Sequence, residues 1–340
     1  MADDADNDTT LRMVNKNKAA ENNERLKALV ETAVFRSNMK SSGQPPYSAP
    51  IPHVHSTDVG HCIYCGSVEN LTKEHIIPSG AGGVYTLIGG SCGACADITK
   101  KFEQDCLQHW FGPMRVRLGL ASHRRPKSKR PTSIKLSTVK RFTGQPTSRI
   151  MNKKDHPTPL TGMVFDHPGI LTGSRPTHYY GEFCIHLNTD HAKEQIPRDE
   201  LLALDIPHPH SLCRTLAKVA YGFSIRAGLE GTFKPLVVDL ILGKEVVGTY
   251  LVGGQPVVPP PEQRFHWVQT YALKSSETIY LVKGVRLFAA LGMPVYYVVV
   301  GIIPDMSLIP PALPLCLFEK WDDPWTKGFR VIDHRGSKPA

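Results

Sequence analysis

Four of the eight cysteines stand in two Cys-x2-Cys pairs, Cys62 with Cys65 and Cys92 with Cys95, and twenty-six residues separate the pairs. Each pair can form a tight turn that directs two thiolates at one ion. Two such turns complete a tetrahedral shell of four sulfurs at about 2.3 Å from the metal. The pattern predicts a structural zinc ion with no open coordination position, and an iron–sulfur cluster or four free thiols are the alternatives.

The rest of the chain fits a metal site inside the cell. Gly66 and Gly93 adjoin the cysteine pairs and give the backbone freedom that such turns need. The N-terminus reads MADDADNDTT, which does not resemble a secretory signal, and no apolar run approaches the ~18–20 residues of a membrane span. We therefore expect a cytoplasmic protein, in which clustered cysteines bind metal more often than they form disulfides. The remaining cysteines are interpreted as small core residues: Cys106, Cys184, Cys213 and Cys316.

A carboxylate and an imidazole stand side by side between the two pairs, at Glu74 and His75. Phosphodiester hydrolysis needs an activated water, and a histidine with a pKa near neutrality can take the proton of that water. A carboxylate can hold a hard divalent ion such as Mg²⁺, which clamps phosphate oxygens. Because adjacent strand residues point to opposite faces, a local twist or a loop position must bring both to one site. The alternative is a glutamate that hydrogen-bonds within a hairpin beside a packed or surface histidine.

The stretch from Cys62 to Trp110 resembles the HNH endonuclease family, which has a ββα-metal fold. The similarity covers roughly residues 60–120 and rests on the LTKEHIIP sequence at Leu71–Pro78, the glycine pair shortly after it, and a second cysteine pair that opens a helix. It implies that the cysteine pairs staple a β-hairpin to a helix. It also implies that His75 is the general base and that Glu74 binds a catalytic Mg²⁺ or another divalent ion.

The sequence departs from the family at the start of the helix. Family members usually carry Asn or His directly after the last zinc cysteine, as a second ligand of the catalytic metal, but this chain has Ala96 there. Asp97 comes next and can supply an oxygen, although it lies about 100° further around the helix. The middle Asn of the family is also missing from Tyr85–Ile88. We therefore expect Asp97 to be the second carboxylate of the catalytic site.

A block of positive charge follows the cysteine-rich stretch. Thirteen Lys or Arg and no Asp or Glu occur between Leu107 and Lys154; taking these from the formal net charge of +9 leaves −4 for the rest of the chain. Such local basicity predicts a contact with a polyanion, and a solvated basic linker is the alternative. The candidate phosphate-binding residues are Arg115, Arg117, Arg124, Arg125, Lys127, Lys129 and Arg130.

The chain must position these residues with an α+β fold. We expect an N-terminal helix and disordered linker over 1–58, an HNH-like zinc module over 59–112, a basic segment over 113–160 and a larger α+β domain over 161–340. In the last of these, Ser211 to about Ala227 predicts a helix with Gly228 as its C-terminal cap, and the strands suggest a mainly antiparallel sheet. The other predicted elements are a helix at Asp97–Trp110 and strands at Ser133–Phe142, Gly162–Phe165, Tyr179–Leu187, Leu236–Leu242, Val246–Val252, Phe265–Ala272, Thr278–Val282 and Val295–Ile303.

These features together predict a metal-dependent endonuclease acting on nucleic acid, with DNA as the favoured substrate. A catalytically inactive, zinc-containing nucleic-acid-binding protein is the alternative, because Ala96 cannot bind a metal. A third possibility is a structural zinc module in an interaction protein, and the thirteen basic residues argue against it. The C-terminal region is a candidate surface for a homodimer or a partner protein, and no membrane contact is expected.

Overall fold

The fold is described from a computed structural model of the 340-residue chain. The described residues are 55–120, 132–153, 155–157, 160–176, 179, 182–186, 196–203, 208–244, 247–254, 265–275, 277–308, 315–317 and 330–332. The predicted N-terminal helix and most of the predicted linker lie outside these residues.

A small sheet and a helix open the described part of the chain: β1 (His55–Asp58), β2 (Leu71–His75), β3 (Tyr85–Cys92) and α1 (Gly93–Asp105). β3 lies between the other two strands, parallel to β1 and antiparallel to β2. β1 falls in the predicted linker. The prolines and glycines there predict irregular structure, but this segment forms a strand by pairing with β3. α1 continues into a π-helical turn at Cys106–Trp110, so the helix predicted at Asp97–Trp110 is present and begins four residues earlier.

The middle of the chain forms two small antiparallel sheets. One has the strand order β5-β4-β8, and the other pairs β6 with β7. The elements are α2 (Gly112–Arg117), β4 (Ser133–Lys140), β5 (Pro146–Asn152), β6 (Leu160–Val164), α3 (Gly169–Thr172), β7 (Glu182–His186) and β8 (Glu200–Leu202).

A long helix and a seven-stranded sheet follow, and we call the latter the C-terminal sheet. Its order is β10-β13-β12-β11-β14-β15, and β9 also pairs with β13; β11 and β14 are parallel, and the other pairs are antiparallel. The elements are α4 (Pro209–Arg226), β9 (Lys234–Pro235), α5 (Val238–Leu242), β10 (Val252–Gly254), β11 (Trp267–Ser275), β12 (Thr278–Arg286), β13 (Tyr296–Ile303), β14 (Leu315–Leu317) and β15 (Arg330–Ile332).

Helix α4 is the central element of the core. Thirteen of its eighteen residues are buried, so it is covered on nearly all sides rather than along one stripe. It packs against α1 on one side and against β12 and β13 of the C-terminal sheet on another. The cysteine-rich part and the C-terminal region therefore share one core, to which this helix contributes from the C-terminal region.

The α+β class and the mainly antiparallel sheet are confirmed, but two predicted strands are wrong. Leu236–Leu242 contains α5, because Gly243 adopts a left-handed conformation that ends a helical turn after a short apolar run. Periodicity alone cannot distinguish such a run from a buried strand. Val246–Val252 contains a 3-10 turn at Gly248–Tyr250, and of its described residues only Val252 belongs to a strand.

Candidate functional site

The two cysteine pairs meet at one point, as the sequence predicts. The four sulfurs of Cys62, Cys65, Cys92 and Cys95 lie within 4.8 Å of one another, and the Cys65 and Cys92 sulfurs are 3.6 Å apart. Tetrahedral coordination with about 2.3 Å to each sulfur places the sulfurs about 3.8 Å apart. A disulfide needs about 2.05 Å, so the arrangement suits four ligands of one metal ion such as zinc. We call these residues the cysteine cluster.

Backbone hydrogen bonds fix the first cysteine turn. The Cys62 N–H donates to the Ser67 carbonyl at 2.8 Å, and the Gly66 N–H donates to the Cys62 carbonyl at 2.8 Å. Gly66 has a φ of 75°, a left-handed conformation that favours glycine. Gly93 differs from the prediction: it is the first residue of α1 and keeps a negative φ.

The second cysteine pair opens α1. Cys92 precedes the helix in an extended conformation, and Cys95 lies in the first turn. A hydrogen bond from the Cys95 backbone N–H is the main cause that lowers the pKa of the Cys92 thiol to about 7. A thiolate is the form that binds a metal, so this helix N-terminus favours the ligand state of Cys92.

Glu74 is buried and paired with a lysine from α4. Its carboxylate lies 2.5 Å from the Lys218 ammonium, whose side chain is 1% exposed. The same ammonium contacts Glu103 of α1 and donates to the backbone carbonyl of His75. A register irregularity in β2 between Thr72 and Glu74 accompanies this inward orientation. We call Glu74, Glu103 and Lys218 the carboxylate–lysine cluster.

Lys218 keeps its positive charge despite its burial. Burial alone would lower the pKa of Lys218, but the attraction of Glu103 and Glu74 outweighs it and raises the pKa. Burial raises the pKa of Glu103 even though Lys218 opposes this shift. Two carboxylates and one carbonyl oxygen thus surround a single positive charge. Their mutual attraction offsets part of the free energy that each group loses when it is removed from water.

His75 and Asp97 differ from Glu74 in their exposure. His75 ends β2 with a partly exposed side chain, whereas Asp97 is exposed in the first turns of α1, next to the partly buried Ala96. The carboxylate that the structure brings to Glu74 is Glu103, on the buried side of α1. Glu74 is thus paired with Lys218, and among the described residues the cysteine cluster is the only group of three or more potential metal ligands, so the Mg²⁺ site stays a prediction.

The loop after His75 is held by contacts from two distant elements. The Arg115 guanidinium donates to the carbonyls of Gly80 and, at 2.8 Å, Leu107. His266 contacts the Ala81 carbonyl through Nε2 at 3.0 Å. A side chain at Gly83 would lie 2.0 Å from the Ile77 carbonyl oxygen, so only glycine permits the chain to fold back there. These contacts fix the position of the segment that follows His75.

The predicted phosphate-binding residues divide into two groups. Arg115 binds the carbonyls described above, and Arg117 donates to the carbonyls of Lys153 and His156 at 3.3 and 3.2 Å, so both guanidinium groups have structural contacts. The other candidates lie outside the described residues: Arg124, Arg125, Lys127, Lys129 and Arg130.

Part of the basic block is neutralised by acidic residues that are distant in sequence. Lys140 of β4 pairs with Asp199 at 2.7 Å and with Glu200 at 3.2 Å, and Arg149 of β5 pairs with Glu200 at 2.9 Å. The Arg149 and Thr138 contacts help to lower the pKa of Glu200 to about 2, the Thr138 hydrogen bond most strongly. The local excess of positive charge in the sequence therefore overstates the excess in space.

Sequence reasoning missed Lys218 and Glu103. The only signal for Lys218 was a lysine within the apolar pattern of α4, flanked by Ala217 and Val219. Glu103 follows the buried Phe102 in α1, at a position that a helical pattern assigns to the edge of the apolar stripe. Of the remaining cysteines, Cys106 and Cys213 are buried core residues as predicted.

Comparisons with protein-family models, with curated proteins and with solved structures gave no match to this chain. Among the helices of the described residues, none combines the length and the apolar character that a membrane crossing requires.

Proposed function

We propose that this chain is an HNH-type endonuclease that acts on nucleic acid through a zinc-stapled ββα module. The observation that carries the proposal is the succession of β2, β3 and α1, with the cysteine cluster joining the hairpin to the helix. This is the order of elements that the resemblance implies for residues 62–105. The closed shell of four sulfurs suits a zinc ion that holds the fold and leaves the chemistry to other residues.

His75 is the proposed general base. It ends β2, the loop after it is fixed by Arg115 and His266, and its side chain is partly exposed. A rigid position is what a base needs, since it must lie within hydrogen-bond reach of the water whose proton it takes. A catalytic divalent ion would neutralise charge on the phosphate, but Glu74 is paired with Lys218, so no step is assigned to Glu74 or Asp97.

The test is a cleavage assay on supercoiled plasmid DNA and on single-stranded RNA, with Mg²⁺, Mn²⁺ or neither. We expect the wild-type protein to cut, and His75→Ala to lose about 10²–10⁴ in rate with unchanged zinc content and nucleic-acid affinity. His109→Ala is the matched control, since His109 is exposed and pairs with Asp105 one helical turn earlier. Equal rates for wild type and His75→Ala would contradict the assignment.

A second candidate is a nucleic-acid-binding protein without catalytic activity. Lys218 favours it, because the ammonium is already paired with Glu74, the predicted ligand of the catalytic ion. The same assay separates the candidates: a zinc-loaded wild type that binds DNA or RNA and cuts neither under any of these conditions supports the second.

A further inference from the structure

The carboxylate–lysine cluster has the donor set of a cation site. Carboxylates from β2 and α1 and the His75 carbonyl converge on one point, and hard cations prefer oxygen ligands of this kind. These two elements are the ones from which the family resemblance draws its metal ligands. The point is filled by the Lys218 ammonium, which enters from α4.

We infer that Lys218 is the resident cation of this carboxylate site, so that Glu74 and Glu103 bind a lysine ammonium in place of a divalent metal ion. The inference concerns the same site as the proposed function, but it rests on the contacts of Lys218 rather than on any activity. It gives Lys218 the role of the cation and Glu103 that of a carboxylate ligand, and neither role was predicted from the sequence.

Burial helps the Lys218 ammonium to compete with a divalent ion for the two carboxylates. The Lys218 side chain is 1% exposed and that of Glu74 is 7% exposed, so little water reaches the contact between them. An ion entering from solution would have to lose its own hydration and displace an ammonium that is covalently tethered at the site. A divalent ion and the ammonium would also repel each other strongly at this range. The two cations therefore exclude each other.

Helix α4 holds the ammonium in place. Tyr221, one turn after Lys218, donates its hydroxyl to the Ile63 carbonyl at 2.9 Å, within the first cysteine turn. Gly222 lies against Ile76, which follows His75 directly. Thr215, on the other side of Lys218 along the helix, contacts the Cys106 sulfur at 3.2 Å. Withdrawal of the ammonium thus requires either a new side-chain conformation or a shift of α4 away from the module.

The first experiment measures Mn²⁺ binding by electron paramagnetic resonance on the full-length, zinc-loaded protein. We expect that wild type, Glu74→Gln and Glu103→Gln give the same Mn²⁺ titration, because the carboxylates are already occupied by Lys218. A bound Mn²⁺ in the wild type that both substitutions remove would overturn the inference. This readout does not depend on cleavage, so it stands whether or not the chain proves to be a nuclease.

The second experiment removes the ammonium with Lys218→Met, which keeps an unbranched side chain as far as Cε. In a variant that retains the native circular dichroism, we expect Mn²⁺ affinity at this site to rise at least about tenfold and to fall again when Glu103→Gln is added. Lys244→Met is the control, since Lys244 is an exposed lysine paired with Asp239. A folded Lys218→Met protein with an unchanged Mn²⁺ titration would show that Lys218 does not hold a cation position. If Lys218→Met does not fold, the wild-type comparison alone decides.

Discussion

At the scale of single residues, His266 links the loop after His75 to the C-terminal sheet. Its Nδ1 accepts the Phe288 N–H at 3.2 Å and its Nε2 contacts the Ala81 carbonyl at 3.0 Å, a pattern that fits the neutral imidazole. Its ring also packs against Phe265 and Phe288. Burial lowers the pKa of His266 from 6.5 to about 4. Protonation of Nδ1 therefore removes the acceptor of the Phe288 N–H, whereas the Nε2 contact to the Ala81 carbonyl can persist.

This shift predicts a loss of stability in acid. A histidine whose pKa is depressed in the folded state stabilises the fold above its unfolded pKa, and that stability is lost as the pH falls through the folded pKa. Between pH 7 and pH 4 the wild-type protein should lose about 3 kcal/mol through His266. Urea unfolding at both pH values measures the loss, and His266→Gln should show a correspondingly smaller one. An equal loss in both proteins would contradict the assignment.

At the scale of elements, α4 carries the ion pair that joins the module to the rest of the core. Removing one partner of a buried ion pair leaves an uncompensated charge, which typically costs about 3–5 kcal/mol. Lys218→Met should destabilise the protein by that amount in urea unfolding, and adding Glu103→Gln should restore part of the loss. Lys244→Met should change stability by less than about 0.5 kcal/mol. A Lys218→Met protein as stable as the control would argue against a charged cluster.

The same elements show which parts of the fold the sequence could predict. The cysteine spacing predicted the meeting of four sulfurs, because two short turns and a tetrahedral ion impose strict geometry. The predicted helix from Ser211 matches α4 within two residues at its start, and Gly228 has the expected left-handed conformation. Local patterns of this kind need no knowledge of distant partners.

Other parts depended on contacts that no local pattern contains. Glu74 is recognisable as a carboxylate, but its partner Lys218 comes from a helix far along the chain. α5 was mistaken for a strand because a short apolar run fits both structures when it is buried on all sides. The sequence predicts Arg115 and Arg117 as phosphate ligands, but in the structure their guanidinium groups donate to backbone carbonyls. Tertiary contacts decided each of these cases.

At the scale of the whole molecule, the proposed contact with nucleic acid depends on the charges that remain free for phosphates. Lys140 and Arg149 are neutralised, and Arg115 and Arg117 bind carbonyls. We therefore expect the phosphate contacts to come chiefly from the basic residues between Arg124 and Arg130.

Replacing Arg124, Arg125, Lys127 and Lys129 with Ala should flatten the salt dependence of duplex DNA binding. Each lost phosphate contact reduces the slope of log affinity against log salt concentration by about 0.9, so the fourfold variant should lose about 3–4 units of slope. Fluorescence anisotropy across a range of salt concentrations measures this, with Lys244→Ala as a control. An unchanged slope would identify the segment as a solvated linker.

The most direct test of the account is the metal content of the purified protein, because the cysteine cluster holds the hairpin to α1. Elemental analysis should find one zinc per chain, and Cys92→Ser should lose both the zinc and the folded module, since such sites can supply on the order of 10 kcal/mol of folding free energy. Natively folded wild-type protein that contains neither zinc nor iron would contradict the account.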